Sequence, residues 1–260
     1  MTAEPWSTTV RVVTLDPADY LLAIRNHTAG LAAAATGNLD ASIAGCPGWS
    51  VRDVVLHLIE VHRFWATITA GLLQAPPDPS AAPAAPSSDA LIATLLEGCD
   101  HLVKILQAAD WKAPVWTWAP SQRDVGFIGR HQVQEAAIHH WDVATARGEK
   151  LELEPAIAAD SIEEFLTVSV SNEIDPADPV RPSLGGCFAL ACSDRDGAWT
   201  VTDGPLPGTV RVTRTADPDC PTLRATASDL LLWLYKRVDL DLGEVPTPLA
   251  GRFGDLCFTD

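Results

Sequence analysis

Basic residues are scarce in this 260-residue chain: 18 Lys and Arg stand against 34 Asp and Glu, giving a formal net charge of -16 and a sequence pI near 4.6. A surface of that sign repels phosphate backbones and anionic headgroups, so neither nucleic-acid nor membrane partners are expected. Long hydrophobic runs are missing as well. No stretch of 18 or more apolar residues occurs, and Met1 to Val13 lacks the charged start and apolar centre of a secretory signal. A cytoplasmic protein is therefore expected. The six cysteines, Cys46, Cys99, Cys187, Cys192, Cys220 and Cys257, show no metal-knuckle spacing. A reducing compartment disfavours disulfides, so all six are expected to be buried free thiols. Internal repeats are absent too.

What is present is apolar content, 47% of the chain, enough for a sizeable core in one large or two modest domains. Asp16-Pro17 suits an N-cap and first helical position, and the Ala- and Leu-rich segment Ala18 to Thr36 reads as a first helix. Ser50, with Asp53 three residues on, resembles a capping box and starts a second helix running to about Leu73. Ala75 to Ser88 is rich in Pro, Ala and Ser and reads as an extended connector. A third helix is predicted over Asp89 to Ala109. After a Pro-containing loop with Trp111, Trp116 and Trp118, a fourth runs from Arg123 to Arg147 and stops at Gly148.

Composition then changes. A helical stretch from Pro155 to about Glu173 precedes short alternating or β-branched runs at Phe188–Cys192, Ala198–Thr202, Thr209–Thr213 and Leu223–Thr226, and Ser228 to Arg237 returns to helix. Helices followed by strands packed with helices place a boundary near residue 150: a helical bundle over 1–150 and a smaller α+β unit over 151–260.

Chemistry concentrates on the fourth helix. Glu135 and His139 are four residues apart and so share a face one turn apart, which suits a clamp on one divalent ion. The same spacing also suits an ordinary surface pair. His57 on the second helix is the natural third ligand if the two helices are neighbours. A His in Leu56-His57-Leu58 is equally compatible with a core residue bonded to a carboxylate. Two imidazoles and a carboxylate leave a coordination position open, as in catalytic zinc sites. His131, four residues before Glu135, is a substitute or supporting residue; His140 points about 100° away from His139, and His62 lies off the face of His57. Asp142, three residues beyond His139, is placed to orient a neighbouring His or Arg.

Two segments together, Cys46-Pro-Gly-Trp-Ser-Val-Arg-Asp-Val-Val-Leu-His57 and Glu135-Ala-Ala-Ile-His-His-Trp-Asp142, resemble the mycothiol-dependent maleylpyruvate isomerase family. The resemblance implies a DinB-like four-helix metal domain followed by a smaller α+β domain similar to sterol carrier proteins. It implies zinc held by His57, Glu135 and His139, and mycothiol as the thiol cosubstrate. Ala227 to Arg237 is similar to the family's C-terminal helix, whose Arg is thought to face the active site; this makes Arg237 a candidate catalytic residue beside its plain reading as a helix-terminal surface Arg. Trp49 and Trp141 read as packing anchors. Arg52, Arg123, Arg130 and Arg237 are the basic residues nearest the motifs and candidates for receiving an anionic substrate.

A metal-bound thiol loses its proton readily, which would deliver a thiolate to an electrophilic small molecule. The expected activity is therefore thiol-dependent cis-trans isomerisation or thiol S-transfer. The alternatives are a zinc hydrolase acting through bound water and a non-enzymatic metal- or ligand-binding regulatory module.

Overall fold

The computed structural model describes residues 15–81, 83–119, 121–170 and 182–257. Four long helices come first: α1 (Pro17–Ala35), α2 (Val51–Gly71), α3 (Leu91–Ala108) and α4 (Val125–Ala146). Each start has a local cause. Pro17 sits at the first turn of α1, where its missing N–H costs nothing. Ser50 accepts from Asp53 N while the Asp53 carboxylate returns to Ser50 N, closing a capping box on α2. Asp124 accepts from Phe127 N at the head of α4. The connector is extended except for a short 3-10 turn at Pro79–Ala81, and a second turn, Ser88–Ala90, leads into α3.

The four helices pack with α1 against α4 and α3, and α2 against α3, while α4 also meets α2. Contacts this close need small residues. A Cβ at Gly30 of α1 would collide with the His140 ring of α4, and one at Gly129 with Trp111.

α5 (Pro155–Glu164) follows, shorter than the sequence suggests: it passes into a π-helical turn, Phe165–Ser169, and Val170 bridges to Cys257. The predicted end at Glu173 lies outside the described residues. A four-stranded mixed sheet comes next, built from β1 (Cys187–Cys192), β2 (Ala198–Asp203), β3 (Val210–Thr213) and β4 (Thr222–Ala225) in the order β3-β2-β1-β4. β1–β2 and β2–β3 are antiparallel, β1–β4 parallel. α6 (Ala227–Leu234) packs on α5, and α7 (Thr247–Leu256) closes the described chain. The architecture is thus a helical N-terminal region followed by a small mixed-sheet unit. One apolar cluster runs from Ile24 and Trp65 through Phe127, Ile162 and Phe165 to Phe188, Leu231 and Phe253. No helix among the described residues is long and apolar enough to cross a membrane.

The expectation of six free thiols is corrected. Cys187 and Cys220 form a disulfide, with Cα atoms 5.7 Å apart. The cause is register: β1 and β4 run parallel with Ala189 opposite Thr222, which brings Cys187 at the start of β1 level with Cys220, two residues before β4 begins. Cys46, Cys99, Cys192 and Cys257 are free thiols; Cys99 and Cys192 are buried, whereas Cys46 and Cys257 are only partly so.

Candidate metal centre and its cleft

The site lies between the first half of α2 and the middle of α4. Cys46 O accepts from Trp49 N across a tight turn in which Gly48 takes φ +88°, a conformation that favours glycine. This turn presents Trp49 and delivers the chain to the Ser50 cap, so His57 projects from the second turn of α2 toward α4. There His57 Nε2 meets Glu135 Oε1 at 2.5 Å, and His139 Nε2 lies 3.6 Å from the same oxygen. Ligand atoms of His57, Glu135 and His139 all fall within 4.8 Å of one another.

Behind His139 stands a second layer. His139 Nδ1 donates to Asp142 Oδ2 at 3.1 Å, which fixes the ring with Nε2 toward Glu135 and His57. Asp142 in turn takes two hydrogen bonds from Arg237, Nε to Oδ1 and Nη2 to Oδ2, each 2.9 Å. Arg237 also donates to Tyr235 O and to Cys46 Sγ, and its side chain is only 3% exposed. Cys46, His139 and Asp142 likewise form a group with metal-ligand chemistry. The Arg237 guanidinium already supplies the positive charge among them, which makes this second set unsuited to an additional cation.

These contacts set the protonation states. Burial pushes the Glu135 carboxyl up, but hydrogen bonds from His139 and His57 outweigh it and hold it well below the usual range. Burial pulls the His139 imidazole down, yet Asp142 and Glu135 raise it to about 9. Asp142 is pushed up by burial and more than compensated by His139 and Arg237. Burial, with Asp142 beside it, pushes the Cys46 thiol up to about 11, so it is protonated and poorly nucleophilic at neutral pH.

His57, Glu135 and His139 are thus brought together, and their chemistry fits a divalent ion: two imidazole nitrogens and an ionised carboxylate converge, with one imidazole fixed from behind. His131 is turned away, bonding Glu164 Oε1 through Nδ1 at 2.8 Å. His140 meets His27 across α1, Nδ1 to Nδ1 at 3.2 Å, and His62 is buried. Three of the four arginines face carboxylates: Arg52 bonds Asp40, Arg130 bonds Asp160, and Arg237 bonds Asp142. Trp49 differs from a packing anchor. It is 37% exposed, edge-on to His57 and stacked on His139 at 6.4 Å. With Gly48, Asp53, Leu56, His57 and Glu60 it lines a cleft of about 440 Å³ opening beside the donor set.

No curated protein matches the chain. Among solved structures, that of a mycothiol-dependent maleylpyruvate isomerase is similar in fold, with a TM-score of 0.60 at 13% identity, covering 89% of this chain and 95% of that one. Residues 20–144, which span α1 to α4 and carry His57, Glu135 and His139, match the family described as the mycothiol maleylpyruvate isomerase N-terminal domain. Over just under half of its length, then, the chain is similar to the N-terminal domain of the mycothiol maleylpyruvate isomerase family.

Proposed function

We propose that this chain is a metal-dependent enzyme that activates a low-molecular-weight thiol, mycothiol, for attack on an electrophilic small molecule. The observation that carries the reading is the convergence of His57, Glu135 and His139 beside an open cleft, within a segment matching a family named for mycothiol. In this reading those three side chains hold one divalent ion, zinc being favoured by the nitrogen and carboxylate donors. When bound, the ion supplies positive charge that lowers the pKa of an incoming thiol.

The chain's own residues do the rest. Asp142 accepts from His139 Nδ1 and keeps the Nε2 lone pair available to a cation, and Arg237 holds Asp142. Arg237 is then a positioning residue. Glu135 stays ionised and offsets part of the ion's charge. Trp49 lies near-parallel to the His139 ring and forms one wall of the approach to it. Addition of the thiolate to an activated cis alkene, bond rotation and elimination would give the trans isomer and return the thiol. With a substrate that carries a leaving group, the product keeps the sulfur.

The reading further assigns residues 1–150 to a DinB-like metal-binding bundle, residues 151–260 to a sterol-carrier-like unit, and the protein to the cytoplasm. The test is metal content of the purified protein followed by titration with mycothiol. About one ion per chain and saturable thiol binding that disappears with a chelator are expected. His57→Ala and His139→Ala should each lose the ion and thiol-dependent turnover while keeping the helical circular-dichroism signal. Full metal retention in either variant rejects the ligand set.

A further inference from the structure

The cleft beside the donor set has an unusual charge balance for a site that would receive a dicarboxylate. Its lining contributes two carboxylates, Asp53 and Glu60, both exposed, and no Lys or Arg. Glu135, bonded to His57, places a third carboxyl group at its base. The Asp53 carboxyl is held below its usual range by its hydrogen bonds with Ser50, so it is charged at neutral pH. Arg237, the arginine behind His139, is turned the other way: both Asp142 oxygens, Tyr235 O and Cys46 Sγ take its donors. Arg52, the basic residue on the same turn as Asp53, reaches Asp40 and Ser88 instead. Three carboxyl groups and a bound thiolate thus crowd the approach to a single divalent ion, and the lining offers no basic side chain. A dianion entering that space meets net repulsion. The apolar part of the lining is the exposed indole of Trp49 with Leu56, next to the His57 ring, and offers a flat body without charge a surface to rest on.

We infer that the electrophile taken by this cleft is an uncharged, flat activated alkene or alkyl halide resting on Trp49 and Leu56, and not a dicarboxylate. The inference rests on the thiol-activating reading above and narrows its substrate class. With an uncharged alkene diester, the sulfur forms a bond to one alkene carbon, the π electrons pass to the other, and that carbon takes up the proton released by the thiol, so that S–H adds across C=C. With an alkyl halide, the C–S bond forms as the carbon–halogen bond breaks. The halide leaves with the bonding pair, and the thiol proton goes to solvent.

Maleate and dimethyl maleate share one alkene and differ in charge, which makes them the probes. The metal-loaded full chain is assayed with mycothiol and each probe, and every rate is divided by the uncatalysed rate with the same thiol. Maleate binding to the metal-free and metal-loaded protein is measured in parallel by calorimetry. The diester is expected to show at least tenfold greater enhancement than the dianion. Glu60→Lys is expected to tighten maleate binding at least threefold in both forms and to raise maleate turnover through KM; added salt should likewise favour maleate. Equal or greater enhancement of the dianion, or indifference of maleate binding to Glu60→Lys and to salt, overturns the inference. Metal-dependent mycothiol binding, measured separately, distinguishes the two levels: if it is absent and neither probe is accelerated, the thiol-activating reading falls and this inference falls with it.

Discussion

At the scale of single residues, the histidines of the bundle have been separated into charged and neutral kinds by their surroundings. Burial pulls His27 and His62 down to about 4, with His140 adding to the effect on His27, so both stay neutral in the folded chain where the unfolded chain would protonate them. Between pH 6.5 and 4 the unfolded state therefore binds more protons, and stability falls as pH falls, by on the order of 3 kcal/mol for each His. Glu135, depressed in the folded state, adds to the loss at the acid end. His139 has the opposite sign: raised to about 9, its contribution is complete below 6.5 and fades as pH rises through 9. The metal-free protein should thus show a Tm maximum near pH 6.5, with metal binding releasing a proton at neutral pH; calorimetry in two buffers of different ionisation heat measures that release. At this scale the sequence was informative only where spacing is local. Glu135 and His139 declare themselves by a four-residue step on one helix. The Arg237–Asp142 pair spans 95 residues and Arg237–Cys46 spans 191, and no local pattern announces either.

At the scale of elements, helix ends were legible where capping chemistry is explicit, as at Ser50 with Asp53 and at Asp16-Pro17. α7 was not. Gly251 and Gly254 lie inside it and Pro248 near its start, so its helical propensity is low and packing of Leu249, Phe253 and Leu256 decides it. The π-turn after α5 is likewise set by packing of Phe165 and Leu166. α6 ends in a Schellman motif: Arg237 N bonds Leu232 O and Lys236 N bonds Trp233 O, with Lys236 at φ 59° in the position where glycine is usual. Lys236→Gly should raise stability by about 1 kcal/mol while metal affinity stays as it was, read from paired denaturant and metal titrations. The Cys187–Cys220 bridge ties the start of β1 to the approach to edge strand β4 and closes a loop of sequence separation 33. Its reduction, or Cys187→Ser with Cys220→Ser, should cost about 3–4 kcal/mol, seen as a fall in Tm on adding reductant that the double variant does not show.

At the scale of the whole molecule, the helical and mixed-sheet portions are joined by polar contacts as well as by a continuous core. Arg130 and Tyr20 both reach Asp160, His131 reaches Glu164, and Arg237 reaches Asp142. The change of composition near residue 150 is visible in the sequence; that the later portion supports the chemistry of the earlier one is a matter of tertiary contact and is not. Arg237→Ala removes the partner of a buried carboxylate and should cost about 3–5 kcal/mol. It should also weaken metal binding about 10- to 100-fold by freeing Asp142 and with it the His139 ring. Arg237→Lys cannot span both Asp142 oxygens and should recover stability only in part. Chemical denaturation and a chelator competition on the two variants check these outcomes; unchanged metal affinity in both would mean that Arg237 does not act through His139.

The Arg237 clasp also has a meaning in time. All three donor side chains have been synthesised once residue 139 has been added, but the group that fixes the His139 ring from behind is completed only by residue 237. On the proposed reading, the nascent donor set would meet an ion in a loose geometry long before the finished one exists. If the three side chains hold an ion as proposed, selectivity between ions would be conferred late, when the turn after α6 docks, and an ion captured early would have to fit the completed site or be expelled as the molecule closes.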